Sequence, residues 1–240
     1  MGSKNLKAIV VRGKEKIALA DPDKFKAFNH DILKAFKESI KEAPLGLTVN
    51  GTAGVVLTTN LLGVLPTKNW QQGTFDNWEN IHGETLTKKY LVSNKACYAC
   101  PIGCGRKTKV EEPGFQGEGE GPEYETIYAM GSNCMIDNLA AIAKANFLCN
   151  EFGLDTITMG ATVACAMELF EKGFLSEKEV GQPLNWGDGD ALVELTRQTA
   201  LCKGFGERLA QGSFRLADSV GHPELAMVSK KQEFPAYDPR

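Results

Sequence analysis

The sequence predicts a mainly α fold, a multihelical domain with one short strand near its N-terminus. Apolar residues recur at three- and four-residue steps along most of the 240-residue chain, and helix-capping residues flank these stretches. The clearest β-type run is residues 6–12, LKAIVVR, which Gly13 ends. No convincing second strand follows, so we expect this strand either to stay unpaired or to pair outside the chain.

The first predicted helix begins at Asp21 and Pro22, an N-cap followed by a proline in the first turn. Pro44 is its predicted end, because proline cannot continue a helix. Its apolar residues share one face at helical spacing, and they are Phe25, Phe28, Ile32, Phe36 and Ile40.

The next part of the chain combines short helices with loops. A short apolar helix is predicted over residues 52–62, and Gly63 ends it. The loop at 64–83 is long for a compact domain, so it either is functional or packs through its Trp residues. A helix near 84–92 then leads into closely spaced cysteines. An acidic, glycine-rich loop is predicted over 111–122.

The second half is helical almost throughout. Asp137 is the predicted N-cap of a helix that Gly153 ends, and Asp155 is the N-cap of the next helix. The helix that begins at Asp155 is predicted to run to about Lys172. Ser176 and Asp188 are further predicted N-caps. The last predicted helices lie near 189–203, 205–211 and 213–220.

Composition and charge narrow the class of protein. Hydrophobic residues make up 42% of the chain and charged residues 24%, as in a globular protein with a buried core. Since 27 basic and 30 acidic residues give a net charge of −3, a broadly basic surface is excluded and nucleic acid is not an expected partner. No apolar run approaches the length of a membrane span, and the N-terminus lacks a signal-like stretch. We therefore expect no membrane association and a cytoplasmic location.

The strongest chemical signal is the triplet Cys97, Cys100 and Cys104. Two residues between the first two thiolates allow a tight turn to direct both sulfurs at one metal centre, and Gly103 lets the third sulfur join them. Soft thiolates select zinc or an iron–sulfur cluster. The spacing favours a [4Fe–4S] cluster, whose fourth ligand is then distant or outside the chain. Zinc remains open, although its usual second cysteine pair or histidine pair is missing from the sequence nearby.

The other cysteines and the histidines give weaker signals. Free cysteine is most often a small buried hydrophobe, so we predict that role for Cys134, Cys149, Cys165 and Cys202. The three histidines are isolated in the sequence and receive no role; they are His30, His82 and His222.

Several segments together resemble the tungsten- (sometimes molybdenum-) pterin aldehyde:ferredoxin oxidoreductases. They keep the family's order along essentially the whole chain: MGSKNLKAIVVRG, LPTKNW, ACYACPIGCGR, GPEYET, NEFGLDT and EFPAYDPR. No single segment is decisive, but the set is highly specific.

The resemblance implies a domain organisation. Residues 1–13 look like the tail of an N-terminal β-rich domain that binds the cofactor, which accounts for the orphan strand. Residues 14–240 look like the helical domain that carries the iron–sulfur cluster and contacts the pterin. The family's fourth cluster cysteine comes from a later domain.

The same resemblance implies the chemistry and the partners. The expected activity is oxidation of a small aldehyde to a carboxylate. The expected cofactors are a tungsten or molybdenum bis-pterin and a [4Fe–4S] cluster. Ferredoxin or a similar carrier receives the electrons, and the remaining domains of the same enzyme are further partners. The sequence leaves a homo-oligomer open. The chain alone is expected to be inactive.

Two segments supply the remaining candidate site residues. In GPEYET, Glu125 matches the glutamate that the family brings to the metal centre, where it serves as a proton carrier; the alternative is a solvated acidic loop. In NEFGLD, the residues that match the family's pterin-binding motif are Asn150, Gly153, Leu154 and Asp155, with Asn150 replacing an aspartate. The alternative for this segment is simple helix punctuation. For the whole chain, the alternative function is a zinc-stapled helical binding domain without catalysis.

Overall fold

The computed structural model describes residues 4–15, 17–42 and 46–237, apart from the side chains of 40–42. The chain forms two compact units, 1–42 and 43–240, and each is described by itself. The helices are α1 (Pro22–Glu42), α2 (Leu47–Asn50), α3 (Val55–Leu61), α4 (Trp78–Ile81), α5 (Gly83–Tyr90), α6 (Tyr124–Met130), α7 (Leu139–Phe152), α8 (Thr156–Glu171), α9 (Glu177–Val180), α10 (Gly189–Ala200), α11 (Gly206–Leu209) and α12 (Ser213–Ser219). The strands are β1 (Leu91–Lys95), β2 (Gly105–Val110), β3 (Gly117–Glu120), β4 (Val228–Ser229) and β5 (Gln232–Glu233).

The first unit consists of an irregular segment followed by α1. The predicted start of the helix is confirmed, because the Asp21 side chain accepts a hydrogen bond from the backbone N–H of Lys24 at 3.0 Å. Residues 6–12 form neither helix nor strand. The predicted helix end at Pro44 and the side chain of Ile40 lie outside the described residues.

The second unit has a helical core, so the mainly α prediction is confirmed. Helix α8 packs closely on α6, and α7 packs on α10. The facing side chains of these helices are small or apolar, and several are fully buried, among them Ile127, Ile142, Val163 and Leu192. Burial of this apolar surface is the main favourable contribution to the stability of the fold.

The contact between α6 and α8 depends on Gly160. A methyl group added at this position would lie 2.4 Å from the carbonyl carbon of Ala129, which is backbone and cannot move aside. We therefore expect Gly160→Ala to lower the free energy of unfolding by about 1–3 kcal/mol, as overpacked cores do. Urea unfolding of the purified protein measures this change. Thr158→Ala, in the same helix, is the matched control and should change stability by less than about 0.5 kcal/mol. Equal stability of the two variants would contradict the close packing.

A three-stranded antiparallel sheet in the order β1–β2–β3 is the largest departure from the sequence prediction. The expectation that no second strand follows residues 6–12 is wrong, and part of the predicted loop at 111–122 is strand β3. The strands were hard to predict because their sequences, LVSNK, GRKTKV and GEGE, are polar and glycine-rich. Tertiary packing explains the glycines: methyl groups at Gly117 and Gly119 would lie 2.6 Å and 2.9 Å from the ring of Phe147 on α7.

Most predicted helix boundaries are confirmed. Gly153 ends α7 in a left-handed conformation with φ of 74°, and Asp155 caps α8. The N-cap of α7 is Asn138 rather than the predicted Asp137, because the Asn138 side chain accepts the backbone N–H groups of Ala140 and Ala141. The predicted caps at Ser176 and Asp188 are both present. Within the described part of the chain, no helix has both the length and the apolarity needed to cross a membrane.

Candidate functional site

The cysteine triplet lies on the loop between β1 and β2. The two strands are antiparallel, with Asn94 opposite Arg106, so the ends of the loop are held together at its base. A tight turn forms between the first two cysteines, since the backbone N–H of Cys100 donates to the carbonyl of Cys97 at 3.1 Å. Cys97 is exposed and Cys100 is half-buried. The loop therefore presents free thiols at the surface of this unit.

The thiols are not arranged around a single ion. Among residues 4–15, 17–42 and 46–237, no three His, Cys, Asp or Glu side chains could hold one metal ion. The expected convergence of the sulfurs on one metal is therefore absent from this structure. A [4Fe–4S] cluster binds each thiolate through a different iron, so its ligands stand further apart than those of one ion. Three free thiols are the donors that such a cluster requires. The assignment of Cys97, Cys100 and Cys104 as cluster ligands stays a prediction.

The other cysteines follow the burial prediction with one exception. Cys134, Cys149 and Cys165 are buried, and burial raises the pKa of each thiol. Cys202 is exposed, so the prediction that it is a small buried hydrophobe is wrong. It follows the last turn of α10 in a left-handed conformation with φ of 48°, beyond the face that packs in the core.

Arg106 is a buried cation at the base of the cysteine loop. It is only 1% exposed, and its guanidinium donates to the carbonyl oxygens of Leu47 and Thr48 at 2.9 and 3.1 Å. A third hydrogen bond reaches the Asn94 side chain at 2.5 Å. Burial lowers the pKa of Arg106, while the charges of Glu123 and Cys104 oppose this effect.

A cleft of about 970 Å³ lies beside this sheet and brings several predicted site residues together. Its walls come from β3, the segment leading into α6, one face of α7 and the first turn of α8. Glu125, Asn150 and Asp155 all line it, although they are far apart in sequence. The cleft is acidic, because its carboxylates outnumber its one lysine, Lys144; the other carboxylates are Glu118, Glu120, Glu123 and Glu151.

Glu125 occupies the first turn of α6 and is half-buried. Its carboxylate accepts a hydrogen bond from the backbone N–H of Ala236 at 2.9 Å. Burial raises the pKa of Glu125, and the Ala236 N–H opposes this rise. The Tyr124 hydroxyl donates to the carbonyl of Ala236 at 2.8 Å, so the C-terminal segment is fixed against α6. A carboxyl group whose pKa is raised in this way keeps its proton to a higher pH than an exposed one.

Two asparagines of α7 hold the chain segment that leads to Glu125. The side-chain amides of Asn146 and Asn150 donate to the same carbonyl oxygen, that of Glu120, at 2.7 and 3.1 Å. Gly121 follows with φ of +83°, and a methyl group there would lie 3.0 Å from the Asn146 amide nitrogen. An aspartate in place of Asn150 has no N–H to donate, so the amide has a structural use in this chain.

The turn between α7 and α8 forms another wall of the cleft. Gly153 makes the turn, and the backbone N–H of Leu154 donates to Cys149 at 2.9 Å. Asp155 caps α8 by accepting the N–H of Thr158 at 2.7 Å. Asp155 faces the cleft, whereas Gly153 and Leu154 shape the turn behind it. The helix therefore directs its positive end at the cleft.

The chemistry of the cleft fits the edge of a pterin, which carries several N–H donors. Glu123, Glu125 and Asp155 supply carboxylate oxygens that accept hydrogen bonds. Asn146 is a site residue that the sequence prediction missed. Its position four residues before Asn150 on the same helix is a signal that identifies it, because residues at this spacing share a face. Arg106 was also missed, although it follows the third cysteine closely.

The sequence of this chain has recognisable relatives. Residues 31–240 match the family described as aldehyde ferredoxin oxidoreductase, domains 2 & 3. The chain belongs to this family. The predicted resemblance is confirmed, and the match covers both the cysteine loop and the cleft.

Individual members of the aldehyde ferredoxin oxidoreductase family are similar over the whole chain. The tungsten-containing aldehyde ferredoxin oxidoreductases of Pyrococcus furiosus and Thermococcus kodakarensis are each 46% identical to it. The chain spans 39% of the length of each of these relatives. An aliphatic sulfonate oxidoreductase, WOR-like subunit, of Pyrococcus furiosus is 31% identical over 96% of the chain and 36% of the relative.

A solved structure supports the fold. The active-site complex BamBC of benzoyl coenzyme A reductase, in complex with 1,5-dienoyl-CoA, matches 76% of this chain and 27% of its own with a TM-score of 0.59. Its sequence identity is 21%, so this similarity concerns the arrangement of helices and strands alone.

Proposed function

We propose that this chain is the helical part of a tungsten- or molybdenum-pterin oxidoreductase that oxidises aldehydes to carboxylates. The observation that carries the proposal is the cleft, where Glu125 lies together with Asn150 and Asp155. Membership of the aldehyde ferredoxin oxidoreductase family supports the same activity. In the domain organisation we propose, residues 1–13 end a β-rich cofactor domain and residues 14–240 form the helical domain.

The residues proposed to hold the pterin are Asn150, Gly153, Leu154 and Asp155. Asp155 keeps one carboxylate oxygen beyond the one that caps α8, and this oxygen can accept an N–H from the pterin edge. Gly153 and Leu154 set the turn that directs Asp155 into the cleft. A metal–pterin group supplies the two-electron oxidation chemistry when it is bound.

Glu125 is the proposed catalytic residue. The reaction R–CHO + H₂O → R–COO⁻ + 3 H⁺ + 2 e⁻ releases protons at the site. The half-buried Glu125 carboxylate is suited to accept one from the reacting water or aldehyde hydrate. Its hydrogen bond from Ala236 keeps the carboxylate oriented while the proton is transferred.

Cys97, Cys100 and Cys104 are proposed to hold three corners of a [4Fe–4S] cluster. The fourth ligand belongs to a part of the enzyme outside this chain. A cluster held by these cysteines would supply one-electron transfer to ferredoxin or a similar carrier. The other domains of the same enzyme enclose the cofactors, so the isolated chain is proposed to be inactive. A zinc-stapled binding domain is the competing function. Thiolates suit zinc chemically, but the described residues do not place three ligands around a single ion.

Metal analysis of the complete enzyme, purified without oxygen, tests the proposal. We expect about four iron and four sulfide per chain, broad absorption near 400 nm, and tungsten or molybdenum in addition. Aldehyde-dependent reduction of ferredoxin should accompany these metals. A colourless protein with one zinc and without iron would establish the binding domain instead.

A further inference from the structure

Arg106 combines deep burial with a position at the base of the cysteine loop. We propose that Arg106 is a positioning residue for the cysteine triplet and a fixed positive charge that raises the reduction potential of the cluster. This inference rests on the proposed [4Fe–4S] cluster and goes beyond it, since it assigns a role to a residue that is not a ligand.

The hydrogen bonds of Arg106 tie together the two ends of the loop. Arg106 lies just after the loop and donates to the side chain of Asn94, which lies just before it. The same guanidinium donates to the carbonyl oxygens of Leu47 and Thr48, and Asn94 donates in turn to Thr48 at 2.8 Å. A planar fork with several donors makes this kind of fixed, multiple contact, and a lysine cannot reproduce it.

The side chain of Arg106 also runs close to the last cysteine. Gly51 lies between the Arg106 side chain and the Cys104 backbone. A methyl group added to Gly51 would lie 2.5 Å from Arg106 Nε and 2.8 Å from the carbonyl oxygen of Cys104. Gly51 has φ of +62°, and its lack of a side chain allows the guanidinium and the loop to approach each other. The guanidinium is therefore held near the backbone of Cys104, the last residue of the triplet, and the charge of Cys104 acts on it.

The charge of Arg106 has no direct partner in the structure. No carboxylate in the described part of the chain lies within ion-pair distance of the guanidinium. Nε is buried without a hydrogen-bond partner among the described residues. Glu123 acts on Arg106 only at longer range, and its carboxylate accepts the hydroxyl of Thr52.

A buried cation without an anion destabilises the folded state, because its lost hydration is not replaced by an opposite charge. Arginine stays charged, so it cannot escape this cost by losing its proton. Thiolates that ligate a cluster supply the missing negative charge beside Arg106. This electrostatic interaction is stronger with the reduced cluster, which carries one more negative charge than the oxidised cluster. A positive charge at this position therefore raises the reduction potential.

Three variants of the complete enzyme, purified without oxygen, test the proposal. Arg106→Gln removes the charge and most donors, and Arg106→Lys keeps the charge with fewer donors. Lys107→Gln is the matched control, because Lys107 follows directly in the sequence but is exposed and forms an ion pair with Glu118. Iron and sulfide per chain are measured first, followed by the midpoint potential of the cluster in a titration monitored by electron paramagnetic resonance.

We expect a lower midpoint potential in Arg106→Gln, and a potential close to the parent's in Arg106→Lys and Lys107→Gln. We also expect both Arg106 variants to hold less iron than the parent. A second result also supports the proposal: Arg106→Gln loses all its iron, whereas Arg106→Lys keeps iron. Arg106→Lys shares the positive charge with the parent, so the charge would then be what holds the cluster.

Two results would overturn the proposal. One is a parental potential in an iron-loaded Arg106→Gln enzyme. The other is an iron content equal to the parent's in both Arg106 variants, which would leave Arg106 without a positioning role. A parent enzyme without iron refutes the proposed cluster itself, so the two failures are distinguishable.

Discussion

Replacing Cys100 with Ser should remove the iron–sulfur cluster from the complete enzyme. Cys100 is the middle residue of the triplet, and its backbone N–H already forms the turn with Cys97. A serine hydroxyl is a harder and far less acidic ligand than a thiol, so it does not replace a thiolate on iron. We expect iron and sulfide to fall from about four per chain to near zero. The visible absorption near 400 nm should disappear with them.

Cys202→Ser is the matched control for this experiment. Cys202 is an exposed free thiol like Cys97, but it follows α10, outside the cysteine loop. We expect iron content and absorption to remain at the parent's values in this variant. Both proteins should melt at similar temperatures in the absence of iron, since neither residue is buried in the core. Iron loss in Cys202→Ser, with Cys100→Ser still loaded, would refute the ligand assignment.

The helices could be predicted because their signals are local. The boundary between α7 and α8 shows this well, since Gly153 and Asp155 mark it in the sequence and both act as expected. The N-cap of α7 differs by one residue, because Asp137 and Asn138 are both good caps. The backbone geometry, which the sequence does not specify, selects Asn138.

The sheet could not be predicted because its causes are tertiary. Strand β3 has the sequence GEGE, which has low strand propensity. Gly117 and Gly119 are required by the ring of Phe147, which comes from a helix about thirty residues later in the printed sequence. No local pattern contains that contact.

The candidate site also has a part that can be predicted from local sequence and a part that depends on tertiary contacts. The cysteine spacing is a local motif, and the sequence identified it. The cleft depends on contacts between distant segments, such as Asn146 with Glu120 and Ala236 with Glu125. Arg106 was missed for a related reason: a charged residue in a polar strand is normally predicted to be exposed. Its burial follows from the carbonyl groups of Leu47 and Thr48, which lie far away in sequence.

Glu125→Gln should nearly abolish aldehyde oxidation while the enzyme keeps its metals. The glutamine has the same size and can still accept the N–H of Ala236 through its carbonyl oxygen. It cannot accept a proton at neutral pH, so the general-base contribution is lost. Such contributions are typically about 10²–10⁴-fold, and we expect kcat to fall by this factor. Iron, tungsten and molybdenum contents should match those of the parent.

The pH dependence separates a lost base from a distorted cleft. The base must be deprotonated to act, so the parent's rate should fall as the pH drops through the pKa of Glu125. Because burial raises this pKa, the fall should begin at a higher pH than for an exposed glutamate. Glu125→Gln should lack this acidic limb, and its residual rate should be flat there. Glu111→Gln, an exposed change outside the cleft, should retain both the rate and the limb. An acidic limb that persists in Glu125→Gln would assign the proton transfer to another group.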